Sequence, residues 1–174
     1  HSNASGPGAG GRSRGILAFY YPTSANGRRA ADIFVQGLKE IYPLPDKVYA
    51  MATTTLGEVR QPYMPSVLLE LGYHDNTADA LWVENNIQAI AENLVQSLTT
   101  YFGLPFVTPL TPWQGTVQTP QGGSLNLRAA PGTRADVVAL LPNGAKVTVY
   151  GRYQEWYTVG YNGKLGYAYA DFIT

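Results

Sequence analysis

The feature that most constrains this chain is an abrupt change in sequence character after Phe102. Before it, short apolar runs alternate with stretches in which apolar residues recur every three or four positions, a pattern that predicts an α/β layer. Residues 104–114 then contain three prolines and no periodicity, which predicts a semi-rigid linker. The remaining segments are short, β-like and separated by glycine-containing turns, which is typical of a small barrel. We therefore expect an α/β domain over residues 1–103, a linker over 104–114 and an all-β domain over 115–174.

The α/β region divides into strands and helices with recognisable ends. An apolar run at residues 15–21 ends at Pro22 and predicts a buried strand, and residues 67–71 predict a second strand. The apolar spacing over residues 25–41 predicts a helix with one buried face. A single long helix is expected from an Asn76 N-cap to a C-terminal glycine at Gly103. The fold class expected for this part is a mixed sheet flanked by helices.

Composition excludes several classes of function. Lys and Arg number 12, as do Asp and Glu, so the formal net charge is zero. Nucleic acid binding requires a basic surface, and electrostatic attachment to a membrane does too, so neither is expected. No apolar run is long enough to insert across a bilayer. The 13 tyrosines and 3 tryptophans suit either exposed aromatic surfaces that bind sugars or peptides, or a structural role in a β domain.

Glu70 is the residue in the α/β region that most needs an explanation, because it lies in an otherwise apolar strand. An ionised carboxylate in such a place is costly unless a partner compensates its charge. Two interpretations follow from spacing alone. Either a cation or a metal-bound water holds the carboxylate, or Glu70 occupies an outward position of a half-exposed strand.

Residues 124–132 (SLNLRAAPG) closely resemble the opening signature of bacterial SH3-like domains, and the rest of that pattern follows in order over about residues 116–174. The resemblance implies a small barrel that binds peptidoglycan, commonly through its peptide cross-bridges. Strand alternation agrees with this fold and predicts an inward-facing set of side chains, namely Leu125, Leu127, Val147 and Val149.

Four aromatic residues of this domain are candidates for a ligand-facing surface: Trp156, Tyr157, Tyr167 and Tyr169. We single out Trp156 and Tyr167 as substrate-binding candidates. The alternative is that both belong to the core of the barrel and its rim.

Residues 64–73 (MPSVLLELGY), followed by Asp75 and Asn76, resemble the strand-end motif of zinc-dependent N-acetylmuramoyl-L-alanine amidases. Residues 1–4 (HSNA) resemble the third ligand motif of that family, and residues 19–22 (FYYP) resemble its intervening segment. The resemblance implies a zinc cofactor with His1 as one ligand, and Glu70 as general base and acid.

The chain departs from that family because the other ligands of the family lie upstream of the residue 1–4 motif. The chain has only two histidines, His1 and His74. We therefore expect this part of the chain to be the C-terminal part of a catalytic domain, with an exposed apolar edge and face. The N-terminal half of that domain is the expected partner that would cover them. A local site of His1, Glu70 and His74 is the alternative; otherwise His74 lines the cleft or caps a turn. Arg60 resembles a family position near the active site, and a solvated surface charge is its other interpretation.

These resemblances together predict a bacterial peptidoglycan hydrolase that is secreted or cell-wall associated, such as an autolysin or endolysin. It would cleave the amide bond between N-acetylmuramic acid and the L-alanine of the stem peptide. A non-catalytic wall-binding protein with an incomplete amidase-like domain is the alternative. A peptidoglycan endopeptidase is a third reading, against which the Glu70 motif argues.

Overall fold

Two units, His1–Leu104 and Pro105–Thr174, make up the chain in the computed structural model, which describes all 174 residues. The first unit holds a three-stranded sheet in the order β2-β1-β3, with β1 parallel to β2 and antiparallel to β3. It is the predicted mixed α/β architecture. The strands are β1 (Ile16–Tyr20), β2 (Val48–Ala52) and β3 (Val67–Leu71), and the helices are α1 (Ala25–Ile41), α2 (Gly57–Arg60), α3 (Thr77–Asn85) and α4 (Ile87–Phe102).

Helix α1 begins and ends where the sequence predicts. The Ser24 hydroxyl accepts a hydrogen bond from the Gly27 amide at 3.1 Å and so caps the first turn. The helix packs its apolar stripe on one face of the sheet, where Leu38 is fully buried. The cluster of buried residues there is Ile16, Ala18, Ala31, Phe34, Val35, Leu38, Tyr42 and Val48.

The long C-terminal helix predicted for this unit is in fact two helices, α3 and α4, which meet at Asn86. The Asn86 backbone leaves the helical region (φ −126°, ψ 20°), and its side-chain amide donates to the Trp82 carbonyl at 2.7 Å. Asparagine competes for backbone hydrogen bonds in this way, which explains the break within an apolar periodicity that continues across it. The predicted ends hold: Asn76 caps α3, and Gly103 ends α4 with φ 67°.

Large apolar side chains are exposed on the outer surface of this unit. On α4, Asn93 and Ser97 are buried, whereas Ile87 and Phe102 are each 66% exposed. On β2, Tyr49 is 46% and Met51 40% exposed. No helix of the chain combines the length and apolarity needed to cross a bilayer.

The second unit is a six-stranded antiparallel sheet in the order β4-β7-β8-β9-β5-β6, the expected all-β fold. Its core contains the four predicted side chains Leu125, Leu127, Val147 and Val149, which are at most 7% exposed. The strands are β4 (Thr108–Thr116), β5 (Leu125–Arg128), β6 (Val137–Leu141), β7 (Lys146–Tyr153), β8 (Trp156–Tyr161) and β9 (Lys164–Tyr169), followed by a 3₁₀ turn at Ala170–Phe172.

The segment predicted as a linker, residues 104–114, contains most of strand β4. Strand β4 lies at the edge of the sheet and pairs only with β7. Its prolines are tolerated there, because an edge strand has one side without strand partners and a missing N–H on that side breaks no hydrogen bond between strands. The register also shifts between Pro109 and Trp113, as at a bulge. Proline therefore marks an edge strand here, where the sequence pattern favoured a linker. The limits of the functional domains remain a prediction.

Candidate active site

Glu70 lies on the face of the sheet opposite to α1. Its neighbours Leu69 and Leu71 pack with the α1 cluster, so alternation along β3 directs Glu70 to the other face. The register sets Glu70 beside Leu17 of β1, and Leu17 beside Tyr49 of β2. The Glu70 side chain is 12% exposed, and its Oε2 is buried without a hydrogen-bond partner.

His1 is held beside Glu70 by backbone pairing of the first residues with the end of β3. The Leu71 amide donates to the His1 carbonyl at 2.9 Å, and the Asn3 amide donates to the Gly72 carbonyl at 2.8 Å. This pairing brings His1 Nδ1 to 3.5 Å from Glu70 Oε1, while the imidazole stays 65% exposed. The two residues that the sequence singled out for chemistry are therefore adjacent, with the ring open to solvent.

The environment of Glu70 favours its protonated form. Burial is the main cause that raises the pKa of Glu70, and the Glu58 carboxylate on α2 adds to it. The His74 ring acts in the opposite direction and does not cancel the effect of burial. A carboxyl group with a raised pKa is a stronger base than an ordinary carboxylate and is therefore suited to accept and return a proton.

The other two sequence candidates of this unit lie around the pair without touching it. His74 is exposed, its amide donates to the Asn3 carbonyl at 2.9 Å, and its Nδ1 lies 3.3 Å from the Ser2 hydroxyl. Arg60 is the last residue of α2 and is exposed, with no ion pair to a carboxylate.

The residues present do not make a zinc site by themselves. A catalytic zinc ion usually takes three protein ligands and a water. No group of three or more His, Cys, Asp or Glu side chains in this chain could hold a metal ion. The local set of His1, Glu70 and His74 considered from the sequence is thus not assembled.

Asp79 is the polar centre of this region, and sequence reasoning missed it. It is fully buried and accepts four hydrogen bonds. Oδ1 accepts from Arg14 Nε at 2.8 Å and from the Tyr42 hydroxyl at 2.6 Å. Oδ2 accepts from the amides of Gly15 at 3.0 Å and Tyr73 at 3.1 Å.

In the second unit, Trp156 is 9% exposed and packs edge-on against Tyr169, with ring centroids 5.6 Å apart. It lines a groove together with Tyr169 and Phe172. Tyr167 is half-buried on β9, opposite Thr158 and Arg128 in register, and is not among the residues that line this groove. The two aromatic candidates are therefore not brought into one pocket.

Comparison with known families gives a match to each unit. Residues 1–100 match the N-acetylmuramoyl-L-alanine amidase family, and residues 123–174 match the bacterial SH3 domain family. Among curated proteins, no sequence matches the chain.

Solved structures resemble the chain over 59% of its length. The CwlD amidase from Clostridioides difficile, solved in complex with the GerS lipoprotein, is 19% identical with a TM-score of 0.52, and 52% of that chain is covered. The catalytic domain of CwlV from Bacillus (Paenibacillus) polymyxa var. colistinus is 23% identical, with a TM-score of 0.48. AmiC2 of Nostoc punctiforme is 20% identical, also with a TM-score of 0.48. In both cases 55% of the solved chain is covered. The chain thus spans about half the length of these structures. The likeness to CwlD supports the α/β fold alone.

Proposed function

We propose that this chain, which belongs to the N-acetylmuramoyl-L-alanine amidase family, contributes to hydrolysis of the amide bond between N-acetylmuramic acid and the L-alanine of the stem peptide. The observation that carries the proposal is the Glu70 carboxyl group. It is buried, has a raised pKa and one oxygen without a hydrogen-bond partner, and lies beside His1.

The proposed reaction requires one group that first accepts and then donates a proton, and Glu70 is suited to that role. A water molecule attacks the lactyl carbonyl carbon, and Glu70 takes a proton from that water as the C–O bond forms. The same proton passes to the nitrogen of L-alanine as the C–N bond breaks, which leaves a carboxylic acid and a free amine; the acid then gives its proton to solvent. His1 orients the carboxyl group through Oε1. Arg60 and His74 are proposed to contact the substrate at the edge of this face.

Zinc dependence is a separate part of the proposal and rests on the family resemblance, in which His1 would be the one ligand that this chain supplies. Because no three-ligand group is formed, we expect the isolated chain to retain less than one equivalent of zinc after dialysis, as measured by elemental analysis. Retention of a full equivalent would overturn that expectation.

The second unit is proposed to bind peptidoglycan, because it matches the bacterial SH3 domain family. Trp156 and Tyr167 remain the substrate-binding candidates from the sequence. A chain with this pair of units is proposed to act outside the cell or at the bacterial cell wall.

A non-catalytic wall-binding protein is the second candidate function. It is favoured by the match of residues 123–174 to the bacterial SH3 domain family, which does not depend on the catalytic candidates.

The deciding experiment incubates the chain with purified sacculi and measures newly freed L-alanine amino groups, with and without added zinc. We expect release that falls at least 100-fold in Glu70→Gln, as for loss of a general base. Glu40→Gln, a change of an exposed carboxylate on α1, is the matched control and should leave release unchanged. Binding to sacculi without any release would favour the wall-binding protein, and equal release by Glu70→Gln would refute the proposed role.

A further inference from the structure

A hollow of about 560 Å³ lies on the outer face of strands β7 and β8 in the second unit and shares no residue with the groove beside Trp156. Val149 and Val159 of these strands are buried in the core, so their neighbours in sequence point outward and line the hollow. We name it the Tyr150 hollow, after the aromatic residue at its centre. Lys164 is the one charged residue that lines it, and no carboxylate does.

Tyr150 is an exposed aromatic side chain that the backbone of the next strand supports. The register of β7 against β8 shifts between Val149 and Gly151, so Tyr150 lies at a bulge, and its side chain is 44% exposed. A Cβ atom at Gly160 would come within 2.9 Å of the Tyr150 ring. Glycine at this position of β8 therefore leaves the space that the ring occupies. The ring is held against the sheet while much of its surface is in solvent.

An apolar strip crosses the sheet through this ring. Gly160 pairs in register with Leu165 of β9, whose side chain is 64% exposed and also lines the hollow. Tyr150 and Leu165 thus lie on either side of Gly160 on one face of the sheet, about 10 Å apart because they are two inter-strand spacings from each other. The strip offers apolar surface that the core of the unit does not use.

Hydrogen-bonding groups lie beside the strip. The Thr148 hydroxyl accepts from Gln114 Nε2 at 2.9 Å and can still donate, and the Thr158 hydroxyl oxygen is buried without a hydrogen-bond partner. Lys164 Nζ donates to the Val138 carbonyl at 2.9 Å, which uses one of its three N–H groups. The hollow therefore combines apolar surface with mostly neutral polar groups and a single positive charge.

Backbone pairing argues against a peptide strand as the ligand of this surface. Strand β8 lies between β7 and β9, so its backbone N–H and C=O groups face strand partners on both sides. An extended peptide that binds by adding a strand needs an exposed sheet edge, which this surface lacks. A sugar ring, in contrast, presents a face of apolar C–H groups surrounded by hydroxyls. That face complements an exposed aromatic ring with polar groups beside it.

We propose that the Tyr150 hollow binds a neutral oligosaccharide, the glycan strand of peptidoglycan, with a sugar ring packed on Tyr150 and Leu165. Thr148 and Lys164 then bind the hydroxyl and acetamido groups of the sugar. The class of ligand follows from the surface, whereas the identity of the glycan rests on the wall-binding function proposed above. The proposal adds a glycan contact to the peptide recognition that the sequence resemblance implies, and it assigns that contact to a different surface.

The test titrates the 174-residue chain with the tetrasaccharide of chitin, which has β-linked N-acetylglucosamine units, and follows assigned NMR signals. We expect the signals of Tyr150, Gly160 and Leu165 to shift. The peptide acetyl-Lys-D-Ala-D-Ala should leave these three signals unchanged. Absence of shifts with the tetrasaccharide, shifts confined to residues around Trp156, or equal shifts in the hollow with the peptide would each overturn the inference.

Variants test whether the aromatic ring carries the binding. Tyr150→Ala should bind the tetrasaccharide at least tenfold more weakly, as for loss of an aromatic anchor, whereas Tyr150→Phe keeps the ring and should bind nearly as tightly as the parent chain. Gly160→Ala displaces the ring without removing it and should also weaken binding. Tyr63→Ala, at an exposed tyrosine of the first unit, is the matched control and should bind normally. The spectrum of each variant reports whether it is folded, and undiminished binding by folded Tyr150→Ala would refute the proposal.

Sedimentation with sacculi separates this inference from the function on which it rests. Binding to sacculi without binding of the tetrasaccharide would refute the role of the Tyr150 hollow and leave wall binding intact. Binding of the tetrasaccharide in the hollow without sedimentation would refute wall binding and leave the oligosaccharide site intact.

Discussion

Replacing Asp79 with Asn tests whether the first unit depends on a single buried carboxylate. The two oxygens of Asp79 accept from four donors, and the side chain has no exposure to solvent. Burial alone would raise the pKa of Asp79, but the hydrogen bonds from Tyr42, Arg14 and two backbone amides outweigh it and lower the pKa below its ordinary value. The charged form is therefore the stable one in the native state.

An asparagine cannot satisfy the same donors in either orientation of its amide. If the NH₂ group replaces Oδ2, it faces the amides of Gly15 and Tyr73, which are also donors. If it replaces Oδ1, the Tyr42 hydroxyl can rotate to accept, but the Arg14 guanidinium cannot. Each unsatisfied buried donor costs about 1–3 kcal/mol, and a cation deprived of its buried partner about 3–5 kcal/mol. We expect Asp79→Asn to lower the free energy of unfolding of the first unit by about 3–5 kcal/mol.

Urea unfolding followed through assigned NMR signals gives separate curves for the two units. The first unit should unfold at much lower urea in Asp79→Asn, whereas the second unit should be unchanged and serves as an internal control. Tyr42→Phe removes one of the four donors and should cost about 1.5–3 kcal/mol, as for a hydrogen bond to a charged group. Because the pKa of Asp79 is lowered in the folded chain, its contribution is present above the ordinary carboxyl pKa and is lost as the pH falls through the lowered value. A cost below 1 kcal/mol at pH 7, or one that does not shrink at acidic pH, would refute this reasoning.

Two further changes test the energetics of each unit. Glu70→Gln should raise the melting temperature of the first unit at pH 7 but not near pH 3. Because the pKa of Glu70 is raised in the folded chain, its contribution to the free energy of unfolding is full below the ordinary carboxyl pKa and is lost as the pH rises through the raised value. Glutamine does not ionise, so the variant does not lose this stability. Calorimetry across the pH range checks the prediction, and equal shifts in melting temperature at both pH values would contradict it. Leu127→Ala should lower the free energy of unfolding of the second unit, measured in urea, by about 2–5 kcal/mol, because Leu127 is fully buried. Leu165 is 64% exposed, so Leu165→Ala should lower it by less than about 0.5 kcal/mol. Similar costs for the two leucines would show that the core assignment is wrong.

Local signals predicted the elements whose ends are fixed by neighbouring residues. Helix α1 was predictable because Ser24 caps it and Pro43 lies two residues beyond its last residue, Ile41. The core of the second unit was predictable from strand alternation. Strand β2 went unpredicted, since only Val48 of its five residues is buried and its sequence has no clear alternation. Strand β4 and the break at Asn86 were missed because each depends on a context that the pattern does not contain: an edge position for the prolines, and a side-chain hydrogen bond for Asn86.

The candidate site was only partly predictable. The residues proposed for its chemistry lie in recognisable motifs, whereas the hydrogen-bonding partners that support it are far apart along the chain. Glu70 stood out as a charge within an apolar strand, and its pairing with His1 followed from the family resemblance. The Asp79 centre gave no such signal. Its donors Arg14 and Tyr42 lie 65 and 37 residues away along the chain, so only the fold reveals that they converge.

The polar residues that follow β3 explain why the Glu70 motif extends beyond the glutamate. Both carboxylate oxygens of Asp75 accept from the Ser5 amide, at 3.0 and 3.1 Å, and the Asn76 side chain donates to the Gly11 carbonyl at 2.6 Å. With Asp79, which binds the Gly15 amide, these residues fix successive points of the first fifteen residues to the end of the strand. The position of His1 beside Glu70 thus depends on contacts made by residues that do not themselves touch the pair. In this motif the glutamate is the residue proposed to transfer the proton. The polar residues after it hold the first residues of the chain in the position that this role requires.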